Sequence, residues 1–108
     1  METEKIRVII KRPDEKIGHM TNIVNSLKCF QNHVGGHIEV LPVGEDGAVM
    51  ICNEEGKLLR LTPNFWFGEE LPDIVVGTVI ICGTDGEEFT DVPFDNRHWQ
   101  AIMKKWKN

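Results

Sequence analysis

Val34-Gly35-Gly36-His37-Ile38-Glu39-Val40 is the stretch at which a helical pattern hands over to a strand pattern. Upstream, Ile23, Leu27, Phe30 and Val34 recur at helix spacing. Downstream, Ile38 and Val40 alternate with His37, Glu39 and Leu41, as along a strand whose second face is not wholly polar. Gly35 can take the left-handed conformation that closes a helix, and Gly36 lets the backbone reverse with no side chain in the way. Helix, cap and strand in direct succession predict a packed α+β fold.

Working back from this junction, Thr21 or Asn22 is the expected helix cap, with a short edge strand over residues 17–20. Asn22, Asn25, Asn32 and His33 are moderate helix formers, so this helix must draw its stability from packing one face on a sheet. Ile6-Arg7-Val8-Ile9-Ile10-Lys11 is the first strand, stopped by Pro13-Asp14-Glu15-Lys16.

Working forward, the strand over residues 38–43 turns at Gly44-Glu45-Asp46-Gly47, and Ala48-Val49-Met50-Ile51-Cys52 returns. Asn53-Glu54-Glu55-Gly56-Lys57 turns the chain again into a short element over residues 57–61, giving a meander. Connections this short require antiparallel pairing. Ile74-Val75-Val76-Gly77-Thr78-Val79-Ile80-Ile81-Cys82 is the most hydrophobic tract, read as a strand pair or one strand bent at Gly77, running through the sheet centre. A turn at residues 83–88 then leads into Phe89-Thr90-Asp91-Val92. Val49-Met50-Ile51-Cys52 and Val79-Ile80-Ile81-Cys82 echo one another, with glycines at matching offsets, as two strand-to-turn units. From Asp95 onward an amphipathic C-terminal helix is expected, with Asp95 as cap, Trp99, Ile102, Met103 and Trp106 on one face, and Lys104, Lys105 and Lys107 near its carbonyl end.

Composition narrows the function. A length of 108 residues predicts one domain, 1–108, with a genuine core and no room for separate catalytic and binding units. Seventeen acidic against twelve basic residues, a formal charge of -5, disfavour direct nucleic acid binding. No apolar run is long enough to span a bilayer and Met1-Glu2-Thr3-Glu4 has no signal-peptide character, so a cytoplasmic location without membrane contact is expected. Cys29, Cys52 and Cys82 are odd in number and widely spaced, which reads as buried thiols and not as a disulfide framework.

Chemistry is sparse. Cys29 and His33 share a helix face, but His37 lies beyond two glycines, so the four-and-four spacing loses its meaning even with His19 added, and no metal is assigned. Cys82, read at a strand end before Gly83, is the best of the poor nucleophile candidates, and no catalytic residue is assigned. The acidic pairs Glu45-Asp46, Glu54-Glu55, Glu69-Glu70 and Glu87-Glu88 suit solvated turns; no calcium loop or phosphate loop is present and no cofactor is expected. The residues that stand out are Asn64, Phe65, Trp66, Phe67, Glu69 and Glu70: an aromatic cluster beside carboxylates, too apolar for an idle loop, in a stretch broken by Pro63, Gly68 and Pro72. They are either a plug over the core or a contact surface, with His98, Trp99 and Trp106 as a secondary surface.

Two noncatalytic roles follow. The aromatic cluster can contact a protein, a host protein or a second copy, in a small regulatory or inhibitory domain. Alternatively it closes over a small molecule or nucleotide, stacking Trp66 on a ring and using Asn64 for polar recognition; a small enzyme is the remaining alternative.

Leu27, Gln31, Val34-Gly35-Gly36, Ile38-Glu39, Cys52-Asn53-Glu54-Glu55-Gly56-Lys57, Pro63-Asn64 and Ile74-Val75-Val76-Gly77-Thr78, in this order, resemble a small domain family of bacteria and their phages, domain of unknown function 3846. The likeness covers residues 27–83. It implies a compact α+β domain, often in a phage or mobile-element setting where accessory proteins modify host processes, and hence a regulatory or anti-defence role; it transfers no catalytic residue.

Overall fold

In a computed structural model, which describes residues 4–44, 46–68 and 72–106 (Trp106 by its backbone alone), the chain is α+β. The elements run β1 (Lys5–Lys11), β2 (His19–Val24), α1 (Leu27–Val34), β3 (Ile38–Pro42), β4 (Val49–Asn53), β5 (Pro63–Phe67), β6 (Asp73–Val76), β7 (Val79–Asp85), β8 (Glu88–Thr90) and α2 (Asn96–Trp106). The main sheet has the order β2-β1-β7-β4-β3, with β8 added to the far half of β7, and every pairing is antiparallel. β5 and β6 form a separate antiparallel pair.

The apolar runs of β1, β4 and β7 are continuous because the sheet is covered on both faces. Val8, Ile10, Val49, Ile51, Ile80 and Cys82 point toward α1, where Phe30 and Val34 meet them. Ile9, Met50, Cys52, Val79 and Ile81 point the other way, toward Phe65 and Val75 of the β5–β6 pair and Trp99, Ile102 and Met103 of α2. Successive residues of one strand therefore serve different cores, as period-two geometry demands. The echoing segments prove to be neighbours, with Val49 opposite Cys82 and Ile51 opposite Ile80.

The α1–β3 junction follows the sequence closely. Gly35 sits at φ +83°, and the N–H groups of Gly35 and Gly36 both donate to the Gln31 carbonyl. A Cβ on Gly36 would come within 2.9 Å of Asn53 Nδ2, so the second glycine makes room for that side chain. Asn53, buried at the end of β4, donates to the Val34 carbonyl (3.1 Å) while its Oδ1 accepts from the Glu55 N–H (2.7 Å). One amide thus joins the helix end to the following turn.

Three expectations are corrected. The helix cap is Ser26, whose Oγ accepts from the Cys29 N–H, and not Thr21 or Asn22. Residues 19–24 instead form an edge strand on β1, Ile23 opposite Ile6, which shortens the helix and leaves Leu27 57% exposed instead of in the core. Residues 57–61 are not a third meander strand: the Leu59 N–H donates to the Glu55 carbonyl and the Leu61 N–H to the Gly56 carbonyl, coiling the segment into successive turns. The tract over residues 74–82 is a strand pair, but Gly77, at φ +78°, sends its halves into different sheets. At the C-terminal helix, Asp95 Oδ1 accepts from the His98 N–H, the expected cap.

Candidate functional site

The aromatic segment becomes β5, and strand alternation sorts its three rings. Phe65 is buried and Phe67 packs against the same core, whereas Trp66 points away from the sheet and is 48% exposed. Trp66 lies opposite Ile74 of β6. Ile74 in turn lines a groove of about 410 Å³ that also involves Glu39 and Leu41 of β3, Phe67 of β5, and Leu58 from the turn after β4. Leu58 is 80% exposed, the most open large apolar side chain among the described residues.

Glycines set the walls of this groove. Gly56 lies under Val76, where a Cβ would approach Cγ2 to 2.8 Å, and Gly77 lies equally close to Leu61. The turn is thereby pressed onto the outer side of β6. Lys57 Nζ donates to both carboxylate oxygens of Asp73 at 2.7 Å, tying the turn to the strand on the surface. This side-chain hydrogen bond, helped by the Ile74 N–H, holds the Asp73 carboxyl below its ordinary value. Glu39, Glu54 and Glu55 add carboxylates to the same rim, and no basic side chain pairs with them among the described residues.

Asn64 is fully engaged inside the protein. Its Nδ2 donates to the carbonyls of Lys11 (3.0 Å) and Gly77 (2.8 Å), and its Oδ1 accepts from Lys11 Nζ. Lys11 is only 2% exposed; its ammonium also donates to the Glu15 carbonyl (2.6 Å) and stands 5.5 Å from the Phe65 ring centroid. Asn64 therefore clamps β5 to the end of β1, and its amide is not offered to a ligand. Glu69 and Glu70 lie outside the described residues.

The secondary surface does not form as a unit. Trp99 is fully buried, stacked on Phe94 and edge-on to Phe65, with its Nε1 donating to the Ile17 carbonyl at 2.9 Å. His98 is exposed and stacks on Phe94, while the Trp106 side chain lies outside the described residues. Nothing in the sequence of α2 marks Trp99 as the most buried of its described side chains until the helix is docked on the sheet.

The candidate nucleophile is also corrected. Cys82 lies within β7 and not at its end, and burial pushes its thiol up to about 12. Cys52 is raised to about 11 by burial and by the carboxylate of Glu39 across the strand pair. Neither forms a useful thiolate near neutrality. At pH 8, iodoacetamide should label Cys29 alone in the folded protein and all three cysteines in denaturant, as read by peptide mass mapping. Rapid labelling of Cys82 in the folded state would contradict its burial. Among the described residues no group of three or more His, Cys, Asp and Glu side chains converges as a metal shell would, and no helix is long and apolar enough to cross a membrane.

The arrangement is thus an apolar groove with an acidic rim and one outward tryptophan. The segments that carry the family likeness meet around it: the double glycine and Asn53, Gly56 and Val76, Gly77 and Asn64 are contacts of one structural unit. A family model described as Domain of unknown function (DUF3846) matches residues 6–107. No curated protein and no solved structure matches the chain.

Proposed function

Because the chain belongs to the DUF3846 family, whose description carries no activity, we propose from its own surface that it is a noncatalytic, protein-binding regulatory domain. The observation that carries this is Trp66, half exposed on the β5–β6 pair while the rings on either side of it are turned into the core. An exposed tryptophan opposite Ile74, which lines the apolar groove with its carboxylate rim, has the composition of an interface centre with a polar surround. Glu69 and Glu70 follow β5 in the sequence and add two carboxylates to this part of the chain. The role is that of a phage or mobile-element accessory protein acting on a host protein, with anti-defence as its setting. Three free cysteines suit action in the reducing cytoplasm.

A small-molecule role draws support from the volume of the groove, which lies within the ordinary ligand range. The carboxylate rim favours a cationic compound over a nucleotide, whose phosphates it would repel.

Trp66→Ala should cost only about 1 kcal/mol of stability, because the ring is half exposed and loses chiefly its cross-strand contact with Ile74. It should weaken partner binding by roughly 30-fold or more, the effect of losing an interface anchor. Native mass spectrometry of wild type and variant recovered from the natural host cell checks this. A protein-sized companion held by wild type and lost from Trp66→Ala is expected. A companion retained equally by both would remove Trp66 from the interface, and a small molecule as the sole retained species would overturn the protein-binding role.

A further inference from the structure

β3 is the last strand of the main sheet, and among the described residues no strand pairs with the main-chain groups on its outer side. The register fixes which ones. The Glu54 N–H donates to the His37 carbonyl and the Val43 N–H to the Ala48 carbonyl, so the odd-numbered residues of β3 exchange hydrogen bonds with β4. The N–H and C=O groups of Ile38 and Val40 therefore face outward. Pro42 fits this phase: its missing N–H falls on the open side, where it breaks nothing in the ladder.

The open edge runs beside the groove. Glu39 and Leu41 point from β3 into it, while Ile38 and Val40 point to the opposite face. The groove contributes Glu39, Glu54, Glu55 and Asp73 against Lys57 alone, and Lys57 is already taken up by Asp73. A strand lying along β3 would hold every second side chain against this acidic rim and the apolar surface of Leu41, Leu58 and Phe67.

We propose that β3 accepts an extended, basic segment of a partner protein as an added strand, its lysine or arginine side chains meeting Glu39, Glu54 and Glu55. This rests on the protein-binding role above and supplies its mode: main-chain pairing for affinity, charge and alternate side-chain pockets for selection. The charge makes a second copy of this chain a poor occupant, since its own rim would be brought against itself.

The test uses the full chain and a capped ten-residue peptide of alternating lysine and valine, with a glutamate–valine peptide as its counterpart. Calorimetry should show binding of the basic peptide alone, weakening by about tenfold or more between 50 and 500 mM salt. Hydrogen exchange should show new protection at Ile38 and Val40. Val40→Pro removes an outward N–H without touching the β3–β4 ladder and should reduce binding by about tenfold or more. The exposed pair Glu54→Lys with Glu55→Lys, which disturbs no core contact, should do the same, so the test stands even if the proline variant fails to fold.

Equal binding of the acidic peptide, unaltered binding by folded Val40→Pro, protection at Met20, Asn22 and Val24 on the opposite edge, or peptide-independent dimerisation through Ile38 and Val40 would each overturn strand addition. A host companion lost from Trp66→Ala but kept by Val40→Pro would refute the edge mode while leaving the protein-binding role standing. Loss from Val40→Pro with retention by Trp66→Ala would support the edge and remove Trp66 from the interface.

Discussion

Trp99→Ala should destabilise the fold by about 3–5 kcal/mol, the largest single-residue effect expected in the chain. The indole is fully buried where α2, β5 and the segment around Phe94 converge on the sheet, and it fills space that no neighbour can collapse into without moving an element. Its Nε1 also satisfies the Ile17 carbonyl, so truncation adds an unmet acceptor to the cavity. Against a total stability of about 5–15 kcal/mol, such a loss leaves a folded population sensitive to mild heating. Urea denaturation followed by circular dichroism would measure it, and a loss below about 1 kcal/mol would show that α2 is not anchored through this ring. Trp66→Ala is the matched control: the same chemical change at a half-exposed ring beside the buried Phe65, with a stability cost of only about 1 kcal/mol.

Asn64→Ala should cost about 2–4 kcal/mol, because the carbonyls of Lys11 and Gly77 lose their donor and the buried ammonium of Lys11 loses an acceptor. Lys11→Ala removes the other half of the same network and should cost a comparable amount. Since the two residues act together, the double variant should be less destabilised than the sum of the singles by about 1 kcal/mol or more. Denaturation curves for all four proteins provide the cycle; additivity within about 0.3 kcal/mol would mean the clamp is not a unit. Asn64→Ala should also raise hydrogen exchange across residues 63–67, because it frees β5 from β1.

This pair shows where sequence reading reaches its limit. The strands over residues 5–11, 38–42, 49–53 and 79–82 are legible because β-branched residues crowd them, and Gly35 and Asp95 announce a helix end and a helix start, whereas residues 83–85 and Glu88, expected in a turn, extend β7 and open β8. An edge strand is expected over residues 17–20, but the full extent of β2 is hidden: Thr21, Ile23 and Val24 signal its continuation and are outweighed by the helical spacing of Ile23 with Leu27 and Phe30. Leu58 and Leu59 suggest a strand in isolation, yet Asn53 and Gly56 curl the chain before one can form.

The site is half legible for a related reason. Phe65-Trp66-Phe67 draws attention by composition, and once the stretch is taken as a strand its alternation separates the two inward rings from the outward one. Asn64 and Lys11 look like surface groups because their partners are main-chain atoms and one another, 53 positions apart. No spacing rule encodes such a contact. Trp99 and Trp106 share a helix face by periodicity, but which of them lies deepest depends on the tilt of α2 over the sheet.

The central place of β7 bears on how the molecule is made. β1 with β2, and β3 with β4, are complete hairpins by residue 53, yet neither touches the other in the sheet; β7 alone stands between them. During synthesis the two ribbons therefore emerge before the strand that joins them, and the sheet cannot close until residues 79–85 have been made. Closure of the sheet thus waits on translation of the hairpin that carries Trp66, and cover for its second face on the later α2.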